Sequence, residues 1–159
     1  MADNYEKAQL EARAVAEAEG RDYHPGHLQC IVVTPEATVL EEQADFLAMP
    51  LDDGEIGIAP GHSPMIGRLG FGELRLKSHG TTKAYYVDGG FVQVAENLVS
   101  VLTNRALPAA SVDAQVAAEY LAQAKARKAN TPELMAIRDR LEQQARAQMR
   151  VAARAAVRA

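Results

Sequence analysis

The chain has 159 residues, a formal net charge of −4, 48% apolar and 5% aromatic residues, one Cys and no Trp. That length fits one domain, or one small domain with an appendage, and the Ala-rich, aromatic-poor composition predicts a thin core with helical sections. A single Cys30 excludes an internal disulfide framework, and no apolar run approaches the roughly 20 residues that a membrane-spanning helix needs.

Charge is distributed unevenly along the chain. Residues 1–27 hold six acidic and three basic side chains, residues 28–107 ten and five, and residues 108–159 five and nine. An acidic body with a basic tail can hold itself together or offer the tail to an acidic partner. Residues 1–27 form an Ala- and Glu-rich extension. Leu10, Ala14 and Val15 share one face of a weak helix there, and HisProGly at positions 24–26 closes a linker. Its acidic start lacks the apolar stretch of a signal peptide.

Residues 28–107 read as strands. QCIVVT is a short β-branched run, and VLEEQADFLAMPL follows a Pro–Glu–Ala turn. GELRLKS alternates, with Leu74 and Leu76 opposed to Arg75 and Lys77. In KAYYVDGGFVQVAENLVSVLTN, AspGlyGly and AlaGluAsn divide three strand pieces. Short strands at roughly 8–12-residue spacing predict an antiparallel β-sandwich or barrel.

Residues 108–159 switch to helical spacing. Ser111 and Asp113 suit a helix start, and Val112, Val116, Tyr120 and Ala124 recur every four residues. Thr131 before Pro132 marks a second start. Leu134, Ile137, Leu141, Ala145, Met149, Ala152 and Ala156 then form a stripe. Two helices with a short connection predict an antiparallel hairpin. Its Ala-rich faces allow close approach and bury little area per contact, which makes it easy to detach.

The stretch GEIGIAPGHSPMIGRLGFGEL holds six Gly and two Pro between Gly54 and Leu74. A nucleophile elbow needs G-x-S-x-G, and Gly61–His62–Ser63–Pro64–Met65 lacks the second Gly. Ser63 reads instead as the cap of a turn or short helix starting at Pro64. No phosphate-loop motif occurs. Asp52, Asp53 and Glu55 are too few for a Ca²⁺ loop and read as a solvated hairpin tip. His24, His27 and Cys30 are Zn²⁺ ligand types three residues apart, but Pro25 breaks any helix that would align them. They read as linker histidines and a buried thiol. The basic residues sit on the hairpin, where Tyr120 is the one aromatic, so a nucleic-acid surface is not indicated. No catalytic, metal or cofactor site is predicted. The glycines serve backbone geometry at turns and bulges.

GEIGIAPGHSPMIGRLGFGELRL, AYYVDGGFVQVAENLVSVL and NRALPAASVDAQVAAEYLAQAKARK, in that order, resemble the epsilon subunit of F-type ATP synthases. The resemblance covers Leu28 to the end and leaves residues 1–27 outside. It implies a β-sandwich of about ten strands over residues 28–107 and a regulatory helix hairpin over 108–159. It implies a non-catalytic central-stalk subunit, peripheral at the cytoplasmic face of the inner membrane or an organellar counterpart. Its implied partners are the gamma subunit, the membrane ring of c subunits and the alpha/beta catalytic head. Asp53, Gly54 and Glu55 would face the ring, with His62 near the rotor interfaces. Arg138, Arg140, Arg146, Arg150 and Arg154 would meet the head when the hairpin extends. Some relatives bind ATP through an I/L-D-x-x-R-A motif. Here Asp113 and Ala117 match it, Val112 is a conservative change, and Val116 replaces the Arg. The four-residue step from Val112 to Val116 to Tyr120 predicts that Val116 packs inward. A free-standing adapter with a sandwich and a helical arm is the other reading that the pattern admits.

Overall fold

The computed structural model describes Ala14, Ala18 and residues 26–159. Ala14 and Ala18 are helical and exposed; the rest of the predicted N-terminal helix, and His24 of the linker, lie outside the described residues. Eight strands come first: β1 (Leu28–Val33), β2 (Thr38–Ala44), β3 (Phe46–Leu51), β4 (Gly54–Ile58), β5 (Met65–Ser78), β6 (Thr81–Ala95), β7 (Leu98–Leu102) and β8 (Ala106–Pro108). A 3₁₀ turn at Ala109–Ser111 leads to helices α1 (Ala114–Ala126) and α2 (Pro132–Arg158).

Strand order is β2-β1-β7-β6-β5-β3-β4, with β8 pairing the outer half of β6. Every pairing is antiparallel except β1 with β7, which run parallel through Gln29↔Leu98 to Val33↔Leu102. That one parallel pair departs from the all-antiparallel expectation. It arises because the hairpins between β2 and β6 carry the chain around the sandwich before β7 returns beside β1.

The architecture is the expected β-sandwich followed by a helix pair, with eight strands where the resemblance implied about ten, and one reason for the difference is local. AspGlyGly does not end a strand; β6 runs through it for 15 residues, and β5 runs for 14. Along β6, with Tyr86 buried on the opposite face, the positions that face the main core are Val87 and Gly89, then Val92 and Val94, so the inward phase slips by one residue at Gly89–Gly90. Along β5 it slips between Leu69 and Leu74. The β5–β6 register skips Gly70 and Gly89 at the same place. The pairing keeps the same register on both sides, so these are paired twists, with no extra residue in either strand. Here they let two long strands face the same core along both halves. A one-residue slip would otherwise turn half of their apolar side chains to water.

Two glycines make the twist possible. Gly90 has φ +111°, and a Cβ there would overlap the Leu102 carbonyl oxygen. At Gly70 a Cβ would lie 2.7 Å from the Leu51 carbonyl oxygen, where β3 crosses closely. No helix starts at Pro64; the segment is extended and β5 begins at Met65. Proline fixes φ but sits as readily before a strand as at a helix start.

The main core joins Leu28, Cys30, Val32, Leu47, Met49, Ile58, Leu74, Leu76, Val92, Val94, Val99 and Val101. Cys30 is fully buried among them, and burial pushes its thiol up to about 12. A second, smaller cluster joins the sandwich to the hairpin. It packs Tyr86, Phe71 and Ala84 against Ala109, Ala147, Val151 and Ala155.

Candidate functional site

The β3–β4 hairpin places Asp52 and Asp53 in its turn and Gly54 and Glu55 at the start of β4. The Asp52 amide donates to the Arg68 carbonyl at 3.1 Å, and the Arg68 guanidinium lies 3.3 Å from the Asp52 carboxylate. Arg75 Nη2 donates to Glu55 Oε1 at 2.8 Å. The tip is therefore exposed but tied to β5, a defined acidic edge. His62 lies elsewhere. It sits past the far end of β4 in a turn closed by its own amide on the Ala59 carbonyl at 3.1 Å. That turn is pinned to the β6–β7 turn, because the Gly61 amide donates to Asn97 Oδ1 at 2.7 Å. Glu55 and His62 thus stand at opposite ends of a strand that rises about 3.3 Å per residue.

Of the Zn²⁺ ligand types, the two described, His27 and Cys30, are not brought together. His27 Nδ1 is 2.9 Å from Asp45 Oδ1, the His27 ring stacks near His79, and Cys30 points into the core. Among the described residues no group of three His, Cys, Asp or Glu could hold a metal.

The helix starts form as their sequence predicts. Asp113 Oδ1 accepts from the amides of Gln115 at 2.8 Å and Val116 at 3.1 Å. Thr131 Oγ1 accepts from Leu134 at 3.2 Å, with Pro132 in the first turn. These bonds satisfy amides that a helix end leaves open. The buried faces follow the predicted stripes only in part: Ala124, Ala145 and Ala152 are buried as expected. Val116 is 40% exposed and Tyr120 50%, whereas Ala117 and Ala124 are buried. Val116 does not pack inward. The small side chains let α1 lie close to α2, and the larger ones are turned out. On α2, Leu134 and Ile137 are exposed, and burial begins at Ala145. The first two turns of α2 bury no side chain.

The arginines of α2 are not equivalent. Arg138 and Arg146 pair with Glu142 at 3.9 and 3.1 Å, and Arg138 also meets Asp139. Arg140 and Arg150 make no ion pair among the described residues and are exposed. Arg154 approaches Glu73 at 3.8 Å. Arg158 makes a two-pronged contact with the same carboxylate, at 2.8 and 2.9 Å. Glu73 is the residue that strand alternation misses. Its side chain is 1% exposed because α2 covers the polar face of β5. Burial raises its carboxyl, but Arg158 and Arg75 outweigh this and hold it below the usual carboxylate range.

A second polar group lies under the hairpin. Asp88 Oδ1 accepts from Tyr86 Oη at 3.1 Å and from Gln144 Nε2 at 2.8 Å. Arg105 lies over the Tyr86 ring at 5.9 Å. Burial and the nearby Asp88 carboxylate push the Tyr86 hydroxyl up. Asp88, Arg105, Tyr120, Arg127, Gln144 and Gln148 line a cavity of about 290 Å³ between sandwich and hairpin. No helix among the described residues is long and apolar enough to cross a membrane.

A family model for the ATP synthase delta/epsilon chain β-sandwich domain matches residues 27–109. The chain belongs to the epsilon-subunit family of F-type ATP synthases. An ATP synthase epsilon chain of Rhodopirellula baltica is 47% identical over 123 residues, covering 77% of this chain and 96% of that relative. One from Symbiobacterium thermophilum is 43% identical over 97 residues, covering 60% and 70%. Two solved chains share the fold. One lies in the Euglena gracilis mitochondrial ATP synthase OSCP/F1/c-ring structure, with TM-score 0.71, 20% identity and coverage of 86% and 84%. The other lies in the Tetrahymena thermophila central stalk/c-ring structure, with TM-score 0.64, 12% identity and coverage of 79% and 96%. As an epsilon chain the protein is a stalk subunit of ATP synthase and is not itself catalytic.

Proposed function

We propose that this epsilon chain joins the gamma subunit to the ring of c subunits through its sandwich, and restrains ATP hydrolysis by the alpha/beta head through its hairpin. Its place is the central stalk, peripheral to the membrane through the complex, and we assign it to the cytoplasmic face. The acidic edge at Asp53, Gly54 and Glu55 suits the polar loops of the ring, and His62 a separate rotor contact. Residues 28–107 serve as the docking unit and 108–159 as the regulatory arm.

The observation that carries the regulatory half is the modest hairpin interface. Its apolar part is Ala147, Val151 and Ala155 against Tyr86, Phe71 and Ala84. Such an interface suits a two-state element whose balance a few kcal/mol can shift. Arg140, Arg146, Arg150 and Arg154 are exposed on α2, and with Arg138 they are available to an acidic surface of the head once the arm extends. Removing residues 131–159 is expected to raise ATP hydrolysis by the assembled complex while subunit composition stays the same. Hydrolysis that does not change across salt and nucleotide conditions would rule out a brake.

A further inference from the structure

We propose that Glu73 and Arg158 form the latch that holds the helical arm down, with Arg75 as the partner that keeps Glu73 neutralised when the latch opens. As a regulatory device it rests on the arm acting as the brake. The physical case starts with where the arm is fastened. The start of α2 buries no side chain, with Leu134 and Ile137 exposed. Apolar packing on the sandwich is confined to Ala147, Val151 and Ala155, near the end of α2. Arg158, in the final turn, then closes a fork on a buried carboxylate 85 residues away in sequence. A two-pronged guanidinium–carboxylate contact is among the stronger side-chain interactions, and it has a defined geometry. Exposed ion pairs such as those of Glu142 along α2 contribute far less.

Arg75 makes the latch reversible. It stands on the same strand as Glu73 and donates to Glu73 Oε1 at 3.3 Å and to Glu55 Oε1 at 2.8 Å. When α2 lifts, Glu73 is left with Arg75 and with water. No buried charge is orphaned, which is the usual reason that breaking a buried pair is costly. The arm can therefore leave and return without disturbing the sandwich.

Native-state hydrogen exchange on the isolated full chain tests this. Glu73→Gln and Arg158→Ala should each speed exchange of amides 144–158 by about tenfold or more, with β7 amides unchanged. Arg158→Lys, which keeps charge but loses the fork, should fall between. Arg158 lies in the last turn of the chain, so its variants fold even if Glu73→Gln does not. No change in the Arg158→Ala variant, or equal acceleration of β7, overturns the latch. Hydrolysis by the assembled complex separates the two readings. An arm that opens in exchange, with hydrolysis unaltered, supports the latch and overturns the brake.

Discussion

The folded carboxyl of Glu73 lies below its unfolded value, because Arg158 and Arg75 outweigh its burial. Its contribution to docking is thus fully present above the ordinary glutamate value of about 4.3 and is lost as pH falls through the folded value. We expect the α2 amide resonances of the isolated chain to hold their docked positions from neutral pH down to about pH 4, and to move below that. Undocking that starts near neutrality would refute the assignment. Gly90 presents a different sensitivity. Its φ of +111° and the Leu102 carbonyl beside it leave no room for a side chain. Gly90→Ala should cost about 3 kcal/mol or more in chemical denaturation. A loss under about 1 kcal/mol would mean that β6 can twist without it.

Helix α1 shows how small side chains set a packing face. Ala117 and Ala124 are buried while Val116 and Tyr120 project outward. By the resemblance, Val116 would stand where an ATP-binding arm carries Arg, and a valine supplies neither charge nor donor. Arg105 and Arg127 line the neighbouring cavity, but so does Asp88, which opposes a phosphate. We expect isothermal titration of the isolated chain to give no micromolar ATP affinity. Because Val116 is partly exposed, Val116→Arg should change stability by no more than about 0.5 kcal/mol and tighten ATP binding by roughly tenfold. Micromolar binding by the unaltered chain, lost in Asp113→Ala, would overturn this. Asp113 is already engaged as the α1 cap, accepting two amides through one oxygen.

For the molecule as a unit, the question is whether the sandwich stands alone. The main core is built from strands without any residue of α1 or α2. β8 ends at Pro108, which pairs with Tyr85 on β6. A chain of residues 28–108 should therefore fold cooperatively and retain binding to gamma, which size-exclusion chromatography of the mixture would show. It would lose the cluster at Tyr86, the cover over Glu73 and the Gln144–Asp88 bond. A fragment that stays unfolded, or folds without binding gamma, would make the arm part of the docking unit.

Much of this fold was legible because the signals are local. Thr131–Pro132 and Asp113 announce helix starts through their own backbone bonds, and Leu74 and Leu76 show the inward face of β5 by alternation. The order of motifs from Gly54 to Lys128 was enough to indicate the family. Three features were not legible. AspGlyGly reads as a break between strands, yet β6 continues through it, because only the close approach of Leu102 reveals why glycine is needed there. Val116, Tyr120 and Ala124 read as one stripe, yet of these only Ala124 is buried, with Ala117 beside it, because the close approach of α2 selects the smaller side chains. Glu73 drew no reading from the sequence beyond sharing the strand face of Arg75 and Lys77, yet it is the most enclosed charge in the interface. Alternation along a strand gives the face on which a side chain stands. What covers that face depends on a helix 85 residues away, and burial and charge pairing follow from that contact.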